Sequence, residues 1–268
     1  MSKMLFHKRG MQRIFRSDGR ALIVTMDQSL YTSVFPALVD PDHVIATMAN
    51  GGADAFLTTF GVLHAFPQSF KSAGVILRLD GGSTELPGGE GRFELLYTVE
   101  DALRLGADGV ACMCFPGYRH EEATIRNTAS VAAACSRWNM PLLVEVLPGG
   151  FGHPELHTPA NIRLAARIGV ELGGDIIKAP FSGDVDSFKE VTRHCYQPIV
   201  LLGGHKKKTD TERSLLEKMK LALEAGAAGI AIGPHIWTHA NPRGMVAALR
   251  KIIHENASVE EALGEVVA

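Results

Sequence analysis

The residue that most invites a chemical reading is Lys178, in the segment GGDIIKAPFSGD, where it is flanked by Ile176, Ile177, Ala179 and Pro180. A lysine carried by a doubly buried strand needs a reason to be there. Burial disfavours the ammonium form, and a neutral amine near pH 7 is what attack on a carbonyl requires. A bland reading stays open, in which the amine snorkels from a strand end or pairs with Asp175 or Asp184. Glu145, in LLVEVLP, shares a strand face with Leu147 by alternation. In an apolar pocket its carboxyl is expected to have a raised pKa and to shuttle protons. It could instead form an ion pair with Lys178 or Arg78 that merely closes the core. Asp27, at the end of ALIVTMD, is either a site carboxylate or the N-cap of the following helix.

A second group of residues suits an anion. LLGGHKKKTD and IAIGPH bring Gly203, Gly204 and Gly233 to the ends of apolar runs, where backbone N–H groups can approach a phosphate closely. His205, Lys206 and His235 flank them, and Lys207 and Lys208 add charge. Thr209 and Asp210 resemble a helix N-cap, whose dipole favours an anion. His153 and His157 have the spacing of a helical metal pair, but Pro154 between them argues for solvated loop histidines. Cys112 and Cys114 read as small barrel filler rather than nucleophiles.

These residues need a scaffold that gathers strand ends. Eight short apolar runs, at 21–27, 55–61, 75–81, 109–115, 142–148, 176–182, 198–204 and 229–234, alternate with amphipathic helical segments. The pattern predicts a single-domain (β/α)8 barrel over 1–268, with a short N-terminal extension and a closing C-terminal helix. An open doubly wound sheet is the alternative. PRGMVAALRKIIHEN follows the last run with Pro242 suited to its first turn, and Ser258 with Glu261 reads as a capping box. The Gly-rich segment 83–96 is long for a βα loop; it either covers the site or is a solvated insertion.

The 268 residues, 46% of them hydrophobic and 21% charged, fit one soluble barrel. A formal charge of −2 gives no basic field for nucleic acid, so a small phosphorylated molecule is the expected partner. Four scattered cysteines without CxxC pairs predict neither a disulfide framework nor a structural zinc site. The basic N-terminus lacks a signal-peptide core and no run reaches membrane-spanning length, which predicts a cytoplasmic protein. The apolar outer surfaces suggest a homo-oligomer.

With strand, lysine and glycines in place, the chain resembles the class I, Schiff-base aldolases of the archaeal-type fructose-bisphosphate aldolase group. That group lies within the wider deoxyribose-phosphate and tagatose-bisphosphate aldolase family. The similarity runs from RIFRSDGRALIVTMDQS through GADAFLTTFG and GADGVACMCFPG, and is most specific in DIIKAPFSGD, PIVLLGG and EAGAAGIAIG. It implies that Lys178 is the Schiff-base lysine, Asp27 a partner for a substrate hydroxyl, and Gly203, Gly204 and Gly233 part of a phosphate cradle. Three departures stand out. The family's tyrosine acid/base on strand five is replaced by Leu147, and Glu145 two residues earlier is similar to the strand-five glutamate of tagatose-bisphosphate and sulfosugar-phosphate aldolases. Gly-Arg-Asn after strand eight becomes Gly233-Pro234-His235. A lysine run begins at Lys206.

The resemblance thus implies reversible cleavage of a phosphorylated ketose without a metal or other cofactor, with Glu145 as acid/base and fructose 1,6-bisphosphate as first candidate. It also allows tagatose or sulfofructose phosphate aldolases, synthases of aromatic precursors, and a thiolase acting on a signalling-molecule phosphate. A phosphosugar-binding barrel without catalysis and a metal-dependent class II aldolase are the readings from other classes.

Overall fold

The computed structural model describes residues 8–84, 86, 91–204 and 209–267. Every apolar run forms a parallel strand: β1 Ala21–Thr25, β2 Ala55–Thr58, β3 Gly74–Arg78, β4 Gly109–Cys114, β5 Leu142–Val146, β6 Ile176–Ala179, β7 Ile199–Leu202 and β8 Gly229–Ile232. β1 pairs with β2 on one side and with β8 on the other, through Ala21 with Gly229 to Val24 with Ile232, so the sheet closes on itself. The chain is a (β/α)8 barrel, and the open sheet is excluded. Most strands end two or three residues before the apolar runs do, because the C-terminal ends of those runs turn into the loops of one face.

Alternation sorts the side chains. Ile23, Leu57, Ile76, Ala111, Leu143, Ile176, Val200 and Ala231 fill the lower barrel, which Met11, Ile14 and Phe15 plug from below. The other parity, including Leu22, Phe56, Leu77, Val144 and Ile177, packs outward against the helices. Each such fully buried branched or aromatic side chain contributes about 1.5–3 kcal/mol by leaving water. Cys112 and Cys114 belong to this outer layer, not to the barrel interior as expected; Cys112 donates to Thr128 Oγ1 on the helix Glu121–Trp138 at 3.6 Å. Burial raises both thiols, Cys114 to about 12, which fits filler rather than nucleophiles.

Helix starts follow their local sequence. Asp40, Thr158 and Asp184 cap the helices Pro41–Gly51, Pro159–Glu171 and Val185–Arg193 by accepting from the backbone three residues on. The cap of Glu212–Glu224 is Thr211, in a reciprocal box with Ser214, and not Thr209 or Asp210. The predicted box at Ser258 and Glu261 forms and starts the helix Val259–Val267. At the floor, His254 bridges Asp18 (2.7 Å) and Asp54 (2.9 Å), fastening the helix Pro242–His254 to the first turn of the chain.

The segment after β3 leaves and returns at the C-terminal end of the strands. Asp80–Gly81 pairs antiparallel with Glu94–Leu95, and Phe93 then packs edge-on to Phe115 at 5.2 Å. Residues 85 and 87–90 of the expected covering loop lie outside the described residues.

Candidate active site

Register places the chemistry. Glu145 of β5 is the direct neighbour of Lys178 on β6, so their side chains leave the sheet side by side into the barrel. Lys178 Nζ lies 2.9 Å from Glu145 Oε1, and the lysine is only 4% exposed. The neighbours offered as bland partners are occupied elsewhere: Asp175 holds Lys8 at 2.7 Å, and Asp184 caps a helix. Glu145 Oε2 accepts from Arg78 Nη2.

Arg78, at the end of β3, is the centre of this network. It is fully buried and donates to Asp27 Oδ2 from Nε at 2.9 Å and from Nη2 at 2.8 Å, with Asp80 Oδ1 3.4 Å from Nη1. Burial works against its charge, but Asp27, Glu145 and Asp80 outweigh that and hold the guanidinium pKa well above the ordinary value. Three carboxylates thus face two formal cations. Burial pushes the Asp80 carboxyl up to about 6 against the pull of Arg78 and of the Met113 amide, 2.6 Å away.

Glu145 departs from expectation. Burial raises its pKa, yet the cations of Lys178 and Arg78 more than reverse this, so its carboxyl is held below the ordinary value. Both the functional and the bland reading of the residue have a physical basis: it closes the core with Arg78 and also presents a carboxylate to the lysine. Asp27, two residues beyond β1, makes no capping hydrogen bond and is not among the residues lining the cavity above Lys178. Its Oδ1 has no hydrogen-bond partner among the described residues.

Above Lys178 and Glu145 opens a cavity of about 510 Å³ with two dissimilar walls. One is built by Gly203, Gly204, Gly233 and His235 from the ends of β7 and β8, joined by Ser214 and Lys218 of the helix Glu212–Glu224. The predicted glycine cradle therefore assembles at one place. His235 Nε2 lies 3.2 Å from Asp210 Oδ2. His205 and Lys206 lie outside the described residues. Gly233 has a further role, since a Cβ there would overlap the Thr25 carbonyl where β8 meets β1.

The other wall is apolar and aromatic: Tyr31, Leu147, Phe151, Pro154 and Phe181. Tyr31 stacks on Phe151 with ring centroids 5.6 Å apart. His157 also lines the cavity, and its Nε2 is buried without a hydrogen-bond partner among the described residues, so it is not the solvated histidine expected. His153 is exposed and paired with Glu155. Tyr31 was not singled out from sequence, and His157 was read there only as a solvated loop histidine. An aromatic four residues beyond Asp27, in a loop at the catalytic end of β1, was the available signal for the first.

No group of three metal-ligating side chains converges among the described residues. No described helix is long and apolar enough to cross a membrane. Residues 21–239 match the model of the DeoC/LacD family aldolases. The chain belongs to that family. At 34% identity over 247 residues, covering 92% of this chain and 91% of the relative, it is similar to 2-amino-3,7-dideoxy-D-threo-hept-6-ulosonate synthase of Halobacterium salinarum. It is 29% identical over 254 residues to the class 1 fructose-bisphosphate aldolase of the same organism, covering 93% and 96% of the two chains. A structure of a Schiff-base-forming fructose-1,6-bisphosphate aldolase superposes with a TM-score of 0.83 at 28% identity, covering 91% of this chain and 98% of the other. This barrel is a class I aldolase.

Proposed function

We propose that this class I aldolase cleaves or forms a carbon–carbon bond in a phosphorylated ketose, with Lys178 as the Schiff-base residue and fructose 1,6-bisphosphate as the first substrate to test. The observation that carries the reading is the Lys178–Glu145 pair, 2.9 Å apart at the floor of the cavity. One proton moved from Nζ to Oε1 converts ammonium and carboxylate into a neutral amine and a carboxylic acid, so the pair generates its own nucleophile. The amine attacks the ketone, loss of water gives an iminium, and the iminium takes up the electron pair when the bond breaks. Once Lys178 has reacted, Oε1 of Glu145 is released to take the proton from the hydroxyl that becomes the aldehyde. Arg78 and Asp27, one layer below, hold that carboxylate in place.

The glycine wall with His235 and Lys218 suits a phosphate, backbone amides supplying the donors that Pro234 cannot. The opposite wall offers apolar surface rather than a second cationic cluster among the described residues. That wall, together with the 34% identity to a synthase, favours a second reading in which the bound ketose fragment passes to another carbonyl compound. The test is borohydride reduction with a panel of phosphorylated ketoses, followed by mass spectrometry and analysis of released products. An adduct on Lys178 supports the assignment, and its absence with every member of the panel refutes it. Simple aldehyde release separates cleavage from transfer.

A further inference from the structure

We propose that Tyr31 is a catalytic proton donor, delivering a proton to the carbon left by bond cleavage; the proposal rests on the Schiff-base reading of Lys178. Tyr31 follows the short 3-10 turn Gln28–Leu30 and is fixed by its own amide, which donates to the Gln28 carbonyl at 3.1 Å. The side chain is 8% exposed and lines the same cavity as Lys178 and Glu145. It packs in one cluster with Leu147, the β5-loop residue that stands where the resemblance expects a tyrosine. The phenol therefore enters from the β1 loop into the space that a phenol from strand five would otherwise occupy.

Among the described residues nothing hydrogen-bonds the Tyr31 hydroxyl, and its oxygen is not among the fully buried polar atoms left without a partner, so it stays accessible from the cavity. A substrate atom is the natural partner. Two other polar groups on the cavity wall are engaged, Ser214 donating to the Thr211 carbonyl at 2.9 Å and Glu145 having one oxygen on Lys178 and the other on Arg78, whereas His157 Nε2 has no partner among the described residues. Burial, reinforced by the carboxylates of Asp27 and Glu145, raises the phenol well above its ordinary pKa. It rests protonated, as a donor must.

The proton balance closes. During cleavage Glu145 accepts the hydroxyl proton, the carbon–carbon bond breaks, the aldehyde leaves, and the electron pair passes into the iminium to give an enamine. Tyr31 protonates the enamine carbon and restores the iminium. The phenolate regains a proton from the Glu145 carboxyl, and water hydrolyses the iminium to free ketone and lysine. Splitting the two proton transfers between two groups also explains how Glu145, with its lowered pKa, need not serve as the acid toward carbon.

The reverse of the protonation step is exchange of a donor-ketone hydrogen with solvent, which needs no aldehyde. Tyr31→Phe keeps the ring stacked on Phe151 and removes only the hydroxyl. Wild type and variant would be given dihydroxyacetone phosphate in deuterium oxide, with exchange followed by proton NMR and Schiff-base formation by borohydride trapping. Thermal melts report folding. The expected result is an unchanged melt, wild-type trapping on Lys178, and exchange slowed by about 10²-fold or more. Trapping together with exchange within threefold of wild type overturns the role of Tyr31. Wild type trapped by no ketose of the panel, dihydroxyacetone phosphate included, overturns the Schiff-base assignment, and this proposal with it.

Discussion

Replacing Arg78 with methionine should destabilise the barrel through charge rather than through lost packing. The guanidinium is fully buried and is shared by Asp27, Asp80 and Glu145. With it, the cluster has one formal negative charge in excess; without it, Lys178 alone would face three carboxylates. Removing one partner of a buried pair costs about 3–5 kcal/mol, because the remaining charge stays buried and uncompensated. At about 2–4 °C per kcal/mol for a chain of this size, the melting temperature should fall by roughly 6–20 °C at pH 7.5. The freed carboxyls would titrate above their unfolded values near 4. A group whose folded pKa is raised stabilises below the unfolded pKa, and that contribution disappears as pH rises through the folded pKa. The deficit of Arg78→Met should therefore shrink when the melts are repeated at pH 5. A loss below about 1 kcal/mol at pH 7.5, or a loss of equal size at both pH values, would refute the charge argument.

Glu145→Gln keeps an acceptor for Arg78 but cannot take a proton, and turnover measured with the trapped ketose should drop by about 10²–10⁴-fold. His254 has its pKa raised: burial lowers it, but its bonds to Asp54 and Asp18 prevail. Its stabilising contribution is complete below the unfolded pKa of about 6.5 and is lost as pH rises through the higher folded value. Wild-type melts should fall across that window, and His254→Ala melts should fall less. Gly233→Ala, which drives a methyl group into the Thr25 carbonyl, should cost about 1–3 kcal/mol or more. Gly204→Ala meets no atom of the described residues within 4 Å, and its φ of +77° is the penalty that they show, so its melt should shift less.

The architecture was open to inspection in the residues themselves, since eight apolar runs of buried length can close only a limited set of sheets. The alternation within VEVL, IIKA and VILR likewise puts Glu145, Lys178 and Arg78 on the inner parity. What alternation does not carry is how many partners meet above the sheet. The sharing of Arg78 with Asp27 and Glu145 depends on β3 lying two strands from both β1 and β5 in the closed ring, a relation between segments more than 50 residues apart in the chain. That arrangement reverses the expected direction for the Glu145 pKa, because two cations reach the carboxylate and outweigh its burial. Loop residues were harder still. Tyr31 and His157 reach the cavity through short 3-10 turns that no periodicity announces, and the capping of Glu212–Glu224 by Thr211 rather than by the preceding residues leaves Asp210 to meet His235.

The side-by-side placement of Glu145 and Lys178 has a bearing on how the chain finds its fold. If β5 or β6 slid by one position during assembly, the lysine or the glutamate would be thrust among the aliphatic residues beneath the outer helices, with no counter-ion in reach. Mispaired barrels are thereby penalised by ions that only the correct alignment can neutralise. The groups proposed to carry this aldolase's chemistry also act as a check on strand register while it folds, and a variant with the ions replaced by hydrocarbon would lose that check.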